Sequence, residues 1–163
     1  MIRRFSSPCI LSGSQCYGSP ISTMIVDQTG HVYISGLVVD DIVKNDGSGL
    51  PSPRAERAKG DVKEEALVVL QAIEHLLSAV DVPMENITTS VCHLRDVEAD
   101  FNGLNDAFAK YFRPGHGPCR TTVQAGGRIV LGCLVEITVS AFRNGDVSTL
   151  PTNDIIAADI LQE

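Results

Sequence analysis

No apolar run in the 163 residues approaches the roughly 18 needed to cross a bilayer. Met1-Ile-Arg-Arg-Phe-Ser carries basic residues without an apolar stretch of signal-peptide length behind them, so secretion is not expected. Basic residues are few. Thirteen Lys and Arg stand against twenty Asp and Glu, a net charge of −7. An acidic surface repels phosphate, which disfavours nucleic acid and anionic membrane as main partners. The five cysteines (Cys9, Cys16, Cys92, Cys119, Cys133) are odd in number and lack paired spacing, as expected of reduced thiols in a cytoplasm. Tryptophan is absent, and aromatic residues make up 5% of the chain. There is no Gly-x-Ser-x-Gly, no phosphate-binding Gly-rich loop ending in Lys, and no Gly-x-Gly-x-x-Gly between strand and helix. No Cys-x-x-Cys occurs and His31, His75, His93 and His116 are scattered, so no metal is expected.

What remains is an ordinary globular composition, 44% hydrophobic and 20% charged, at the length of one domain. A chain of this size buries roughly two thirds of its unfolded surface and needs no disulfide or metal to hold a core. Residues 1–20, rich in Ser, Gly and Pro, read as an irregular lead-in, 21–142 as the domain, and 143–163 as an acidic tail that frays or docks as a short helix. Met24-Ile-Val and His31-Val-Tyr-Ile-Ser35 flank a turn and predict a hairpin. Residues 40–60 form a long polar connection, mobile on the simpler reading and functional on the other. Asp61 caps a helix with Glu64 three residues on, as in a capping box. Val62, Ala66, Val69, Leu70, Ile73, Leu76, Leu77 and Val80 then make one apolar stripe. Ile87–Leu94 predicts a strand, and Asp100 the cap of a second helix carrying Phe101, Leu104, Phe108, Tyr111 and Phe112 as core. Strands follow at 120–125 and 134–142. The order β-β-α-β-α-β-β predicts an α+β layer with two helices on one face of a mixed sheet.

Two residues draw attention. Arg120 opens a strand directly after the Pro-bounded loop Pro114–Pro118, presenting a two-pronged donor that suits a carboxylate. The plainer alternative is a surface arginine paired to a nearby acid. Thr122 shares its face, with Cys119 and Thr121 on the other. Glu136 lies inside a strand whose opposite face is apolar, where a carboxylate is costly unless paired or used. A structural ion pair and a carboxylate that orients water are the two alternatives.

Five stretches, in order, make the chain resemble the RidA/YjgF family of reactive-intermediate deaminases, also labelled endoribonuclease L-PSP. They are Tyr33-Ile-Ser-Gly36, Gly60-Asp-Val-Lys-Glu-Glu65, Arg95-Asp-Val-Glu-Ala-Asp-Phe101 with Asn105, Pro118-Cys-Arg-Thr-Thr-Val123 and Leu134-Val-Glu-Ile137. The resemblance implies a chorismate-mutase-like α+β fold, a homotrimer with pockets between subunits, and no cofactor. It implies Arg120 as the clamp on a small carboxylate substrate and Glu136 as holder of the attacking water. Gly36 and Asn105 would line the pocket. The activity implied is hydrolytic deamination of small enamine or imine acids to 2-keto acids and ammonia. Alternatives are a 2-aminomuconate-type deaminase, a metabolite-binding trimer without turnover and, against the charge, an RNA endonuclease. The chain departs from the family at Ile21–Met24, which lacks a tyrosine, at Thr122 where many members have cysteine, at the turn 126–132, and in the length of 40–60.

Overall fold

Strict alternation along one central strand shows how the domain is layered. In Val135–Phe142 the side chains of Val135, Ile137, Val139 and Ala141 are buried, while Glu136, Thr138 and Ser140 are only half-buried. One sheet face therefore carries the core and the other lies open. The computed structural model describes residues 2–7, 10, 22–127, 129–151 and 153–155. Cys9, Cys16, Tyr17 and Ile21, and the tail beyond 155, lie outside the described residues.

The sheet has seven strands: β1 (Arg3–Ser6), β2 (Met24–Val26), β3 (His31–Leu37), β4 (Ile87–Leu94), β5 (Cys119–Gln124), β6 (Val135–Phe142) and β7 (Asn153–Ile155). Their order is β5-β4-β6-β3-β2-β1-β7. β5 runs parallel to β4 and β7 parallel to β1, and the other neighbours are antiparallel. The sheet is thus mixed, as expected, with the predicted hairpin at β2–β3. Three α-helices accompany it among the described residues: α1 (Pro53–Ala58), α2 (Val62–Ser78) and α3 (Val97–Tyr111). α2 packs on β6 and α3 on β4 and β5, and the two helices pack on each other. Every predicted stripe residue of α2 from Ala66 to Val80 is fully buried.

Four expectations need correction. β1 falls within the supposed irregular lead-in and β7 within the supposed tail, because the edge of β2 offers unpaired backbone groups that β1 satisfies, and the outer edge of β1 offers the same to β7. α3 begins earlier than predicted: Asp96, not Asp100, is its cap, accepting the Ala99 N–H at 3.0 Å. Asp61 caps α2 as predicted, taking the amides of Lys63 and Glu64, but the reciprocating carboxylate is Glu65 rather than Glu64. Glu65 Oε1 accepts the Gly60 N–H at 2.9 Å and Oε2 the Leu134 N–H at 2.8 Å. A buried glutamate therefore ties the start of α2 to the start of β6. Burial pushes its carboxyl up, and those two amide donors oppose the rise.

The connection 40–60 is packed rather than bare. Ile42, Val43, Ala55 and Ala58 are buried in it, α1 starts on a Ser52 cap, and Lys44 N–H donates to the Leu50 carbonyl at 2.8 Å. Lys59 Nζ closes the segment on Asp40 at 2.6 Å. At its start, Asp41 accepts the Val38 N–H at 2.9 Å. Burial first, then the negative charges of Glu136 and Asp40, push the Asp41 carboxyl up from 3.8 to about 7, against the pull of the Val38 amide.

Two stability outcomes follow. Glu65→Ala leaves a buried amide (Leu134) and a part-buried one (Gly60) without an acceptor and costs about 2–4 kcal/mol by urea denaturation, with Glu65→Gln intermediate. Asp41 is protonated in the folded chain while ionised in the unfolded one between its two values, 3.8 and about 7, so its contribution declines as pH rises through that window. Asp41→Asn keeps an oxygen for Val38 and removes the decline. Its melting temperature should exceed that of the wild type above pH 7 and match it near pH 4.

Candidate functional site

Strand period and register decide where each predicted site residue points. Arg120, second residue of β5, pairs with Ser90 of β4, whose side chain is buried toward the helices. Arg120 therefore lies on the helix side and meets α3. Its Nη2 donates to Asn105 Oδ1 at 2.5 Å, and its Cζ sits 4.8 Å from the centre of the Phe108 ring and 5.6 Å from that of Phe101. Flat rings and one neutral amide hold the guanidinium in place without neutralising it. Among the described residues no carboxylate lies within ion-pair distance of Arg120. The plainer alternative, an arginine paired to a nearby acid, is thus not what the structure shows. Thr122, half-buried, stands two residues along the same face, opposite the buried Cys92. One cluster of this chain is then Arg120, Asn105 and Thr122.

Phe101 was expected in the core. It is 39% exposed and faces the guanidinium, which no spacing rule could show, because the helical stripe of α3 marks a face but not what lies against it.

A second cluster surrounds Glu136. This residue pairs across β6–β4 with His93, whose face is the open one. Glu136 Oε1 lies 3.8 Å from His93 Nδ1, and no Lys or Arg is paired with the carboxylate among the described residues. On its other side is Gly36, where the β3–β6 register shifts between Ile34 and Leu37. A Cβ added to Gly36 would stand 2.6 Å from Glu136 Oε1 and 3.1 Å from Thr138 Oγ1. Glycine at this point makes room for the carboxylate, and Asp41, five residues on, adds negative charge nearby when it is ionised. Ser35 anchors this stretch, donating through its backbone N–H to the Thr23 carbonyl at 3.0 Å and through its hydroxyl to the Ser22 carbonyl at 2.8 Å.

The two clusters do not meet within one chain. Ser90 and His93 are three residues apart on β4, an odd step, so their cross-strand partners Arg120 and Glu136 occupy opposite faces of the sheet. β4 also separates the two strands that carry them. The structure brings together Arg120, Asn105 and Thr122 on one side and Glu136 and Gly36 on the other. Neighbouring groups have plainer roles. Cys119 is exposed on the open-face side of β5, and His116 is an exposed loop residue whose amide donates to the Arg113 carbonyl. Among the described residues there is no group of three metal-capable side chains, and no helix is long and apolar enough to cross a membrane. His93 and Asp41 are members of the Glu136 cluster that sequence inspection passes over: their proximity depends on a strand pairing and on a turn within a polar connection.

Comparison with known proteins agrees with this architecture. The family model described as endoribonuclease L-PSP matches residues 21–143. A RutC family protein of Pyrococcus horikoshii is 30% identical over 88 residues, which cover 54% of this chain and 68% of that protein. A RutC family protein of Sulfurisphaera tokodaii is 29% identical over 108 residues, covering 66% and 76%. Among solved structures, a YjgF family member from Neisseria meningitidis superposes with a TM-score of 0.63 at 21% identity, covering 89% of this chain and 97% of that one. A Rid family protein from Yersinia pestis gives 0.69 at 22% identity, covering 88% and 100%. With the five sequence stretches, the mixed sheet and a family model spanning most of its length, the chain belongs to the YjgF/RidA family, the family described as endoribonuclease L-PSP.

Proposed function

We propose that the protein hydrolyses small enamine or imine carboxylic acids to 2-keto acids and ammonia, at sites formed between neighbouring protomers of a homotrimer. The observation that carries this reading is the state of Arg120: oriented by Asn105 and two rings, and paired with no acid among the described residues. A guanidinium so held has its remaining N–H donors available for a bidentate carboxylate. In this reading Glu136, on the opposite face of the sheet, comes to the site from a second chain. Tyr33, Val91, Val123 and Phe142 on the open sheet face are each at least 37% exposed, an apolar surface suited to burial against another copy.

In this reading Arg120 takes the substrate carboxylate, with Thr122 beside it, and so fixes the C=N carbon. Glu136 of the adjoining protomer, lying against Gly36, accepts a hydrogen bond from water and directs its oxygen at that carbon. It takes the water's proton as the C–O bond forms. That proton passes to nitrogen, giving a carbinolamine; the hydroxyl proton of the carbinolamine then moves through the same carboxylate to nitrogen, the C–N bond breaks, and ammonia leaves as the carbonyl forms. An enamine enters the same route once a proton on carbon converts it to the imine. The electrophile is reactive in itself, so binding and water positioning are the demands on the protein.

The deficit of basic residues opposes the RNA endonuclease alternative. The long 40–60 connection is the feature that keeps a 2-aminomuconate-type substrate open, and a substrate panel with one- and two-carboxylate compounds separates the two.

With 2-iminobutyrate generated in situ, the wild type should accelerate decay, and Arg120→Ala should reduce kcat/KM by roughly 100-fold or more. Equal decay with and without the wild type would overturn the reading. Arg120→Ala and Glu136→Gln chains, each inactive alone, should regain roughly a quarter of the wild-type activity when unfolded and reassembled together, because mixed neighbours rebuild some intact sites. No recovery would overturn the shared site between protomers. Gly36→Ala displaces the flexible end of Glu136 rather than backbone, so activity should fall at least roughly 10-fold with little change in melting temperature.

A further inference from the structure

The Nδ1 atom of His93 is shut off from solvent and has no hydrogen-bond partner in the structure, although the side chain as a whole is 39% exposed. A buried ring nitrogen without a partner is costly, and such exceptions ask for an explanation. The nearest candidate is the carboxylate directly across the strand pair, Glu136 Oε1 at 3.8 Å. Cross-strand residues in register have Cβ atoms about 5 Å apart, so the two side chains are held within reach by the ladder itself. A side-chain rotation that shortens the gap by about 1 Å makes an N–H···O bond.

The surroundings mark His93 as a donor in position to restrain this carboxylate, since its Nδ1 is buried without a partner. Across β5 its neighbour is Val123, which carries no polar group on its side chain. Beside Glu136 lie Gly36, which has no side chain, and the Thr138 hydroxyl. When ionised, Asp41 in the turn after β3 repels Glu136. A carboxylate repelled from one side and unrestrained by its glycine neighbour needs a donor to fix its rotamer.

We propose that His93 is the positioning residue of Glu136: its Nδ1–H holds Oε1, so that Oε2 is presented to the water. The inference rests on the reading of Glu136 as the water-orienting acid. His93 itself touches neither substrate nor water. A neutral imidazole has one N–H, and placing it on Nδ1 satisfies both the orphaned nitrogen and the carboxylate. Arg120, on the other side of the sheet, continues to bind the substrate carboxylate whatever His93 does.

Two measurements test the idea. In 2-iminobutyrate turnover, His93→Phe should lower kcat roughly 10-fold with KM within about twofold of the wild type. His93→Asn, whose amide nitrogen sits close to where Nδ1 stands, should recover most of that loss. A histidine with only a packing role would show the reverse: phenylalanine tolerated, asparagine not. Separately, ¹⁵N spectra of the ring at neutral pH should find the proton on Nδ1 in the wild type and largely on Nε2 in Glu136→Ala. The same tautomer in both proteins overturns the pairing. A His93→Phe variant with wild-type kcat overturns the positioning role. A wild type without turnover overturns the deaminase reading instead, and the ¹⁵N spectra then decide the His93–Glu136 pair by themselves.

Discussion

The pairing of β4 with β5 on one edge and β6 on the other is the constraint from which the rest of the site follows. A strand has two faces and no intermediate orientation, so a register either shares a face between two residues or divides them. Here it divides them. Arg120 takes the helix side, where α3 supplies two rings and an amide, and Glu136 takes the open side, where Gly36 yields space. A slip of one residue in β5 would turn Arg120 out of its aromatic seat and place Cys119 or Thr121 there instead.

The two faces meet different needs. On the helix side the arginine is half-buried, and rings and an amide orient it while its charge stays unspent. The open side is partly wet, rich in Thr and Ser, and carries acids without cationic partners: Glu136 with His93 beside it, and Asp41 raised by burial and by its acidic neighbours. Positive and negative charge are thus kept apart in each chain.

The connection 40–60 joins the two kinds of structure. It begins at Asp41, close to Glu136, and ends at Lys59 and Gly60, where the Asp40 ion pair and the Glu65 hydrogen bond fasten it to the core. Its polar composition suggested a free linker. Its buried Ile42 and Val43 form no periodic pattern, and the two alanines Ala55 and Ala58 sit in the single short helix α1, yet each finds a place in the core. The motif Gly60–Glu65 gains a physical meaning from the same contacts: the aspartate caps a helix, and the last glutamate binds the amides of Gly60 and Leu134.

The sequence by itself determined the central elements. Helical stripes from Ala66 to Val80, alternation from Val135 to Ala141 and β-branched runs at 87–94 are local patterns, and local patterns need only the chain's own geometry. It also singled out Arg120 and Glu136, since a guanidinium at a strand start and a carboxylate among valines are unusual wherever they fold. Only the tertiary structure decided that these two residues face apart, that Phe101 and Phe108 seat the arginine, that Glu65 rather than Glu64 turns inward, and that His93 stands beside Glu136. Each of those facts depends on which strand lies next to which and in what register, a long-range pairing that residue spacing within any one segment does not encode.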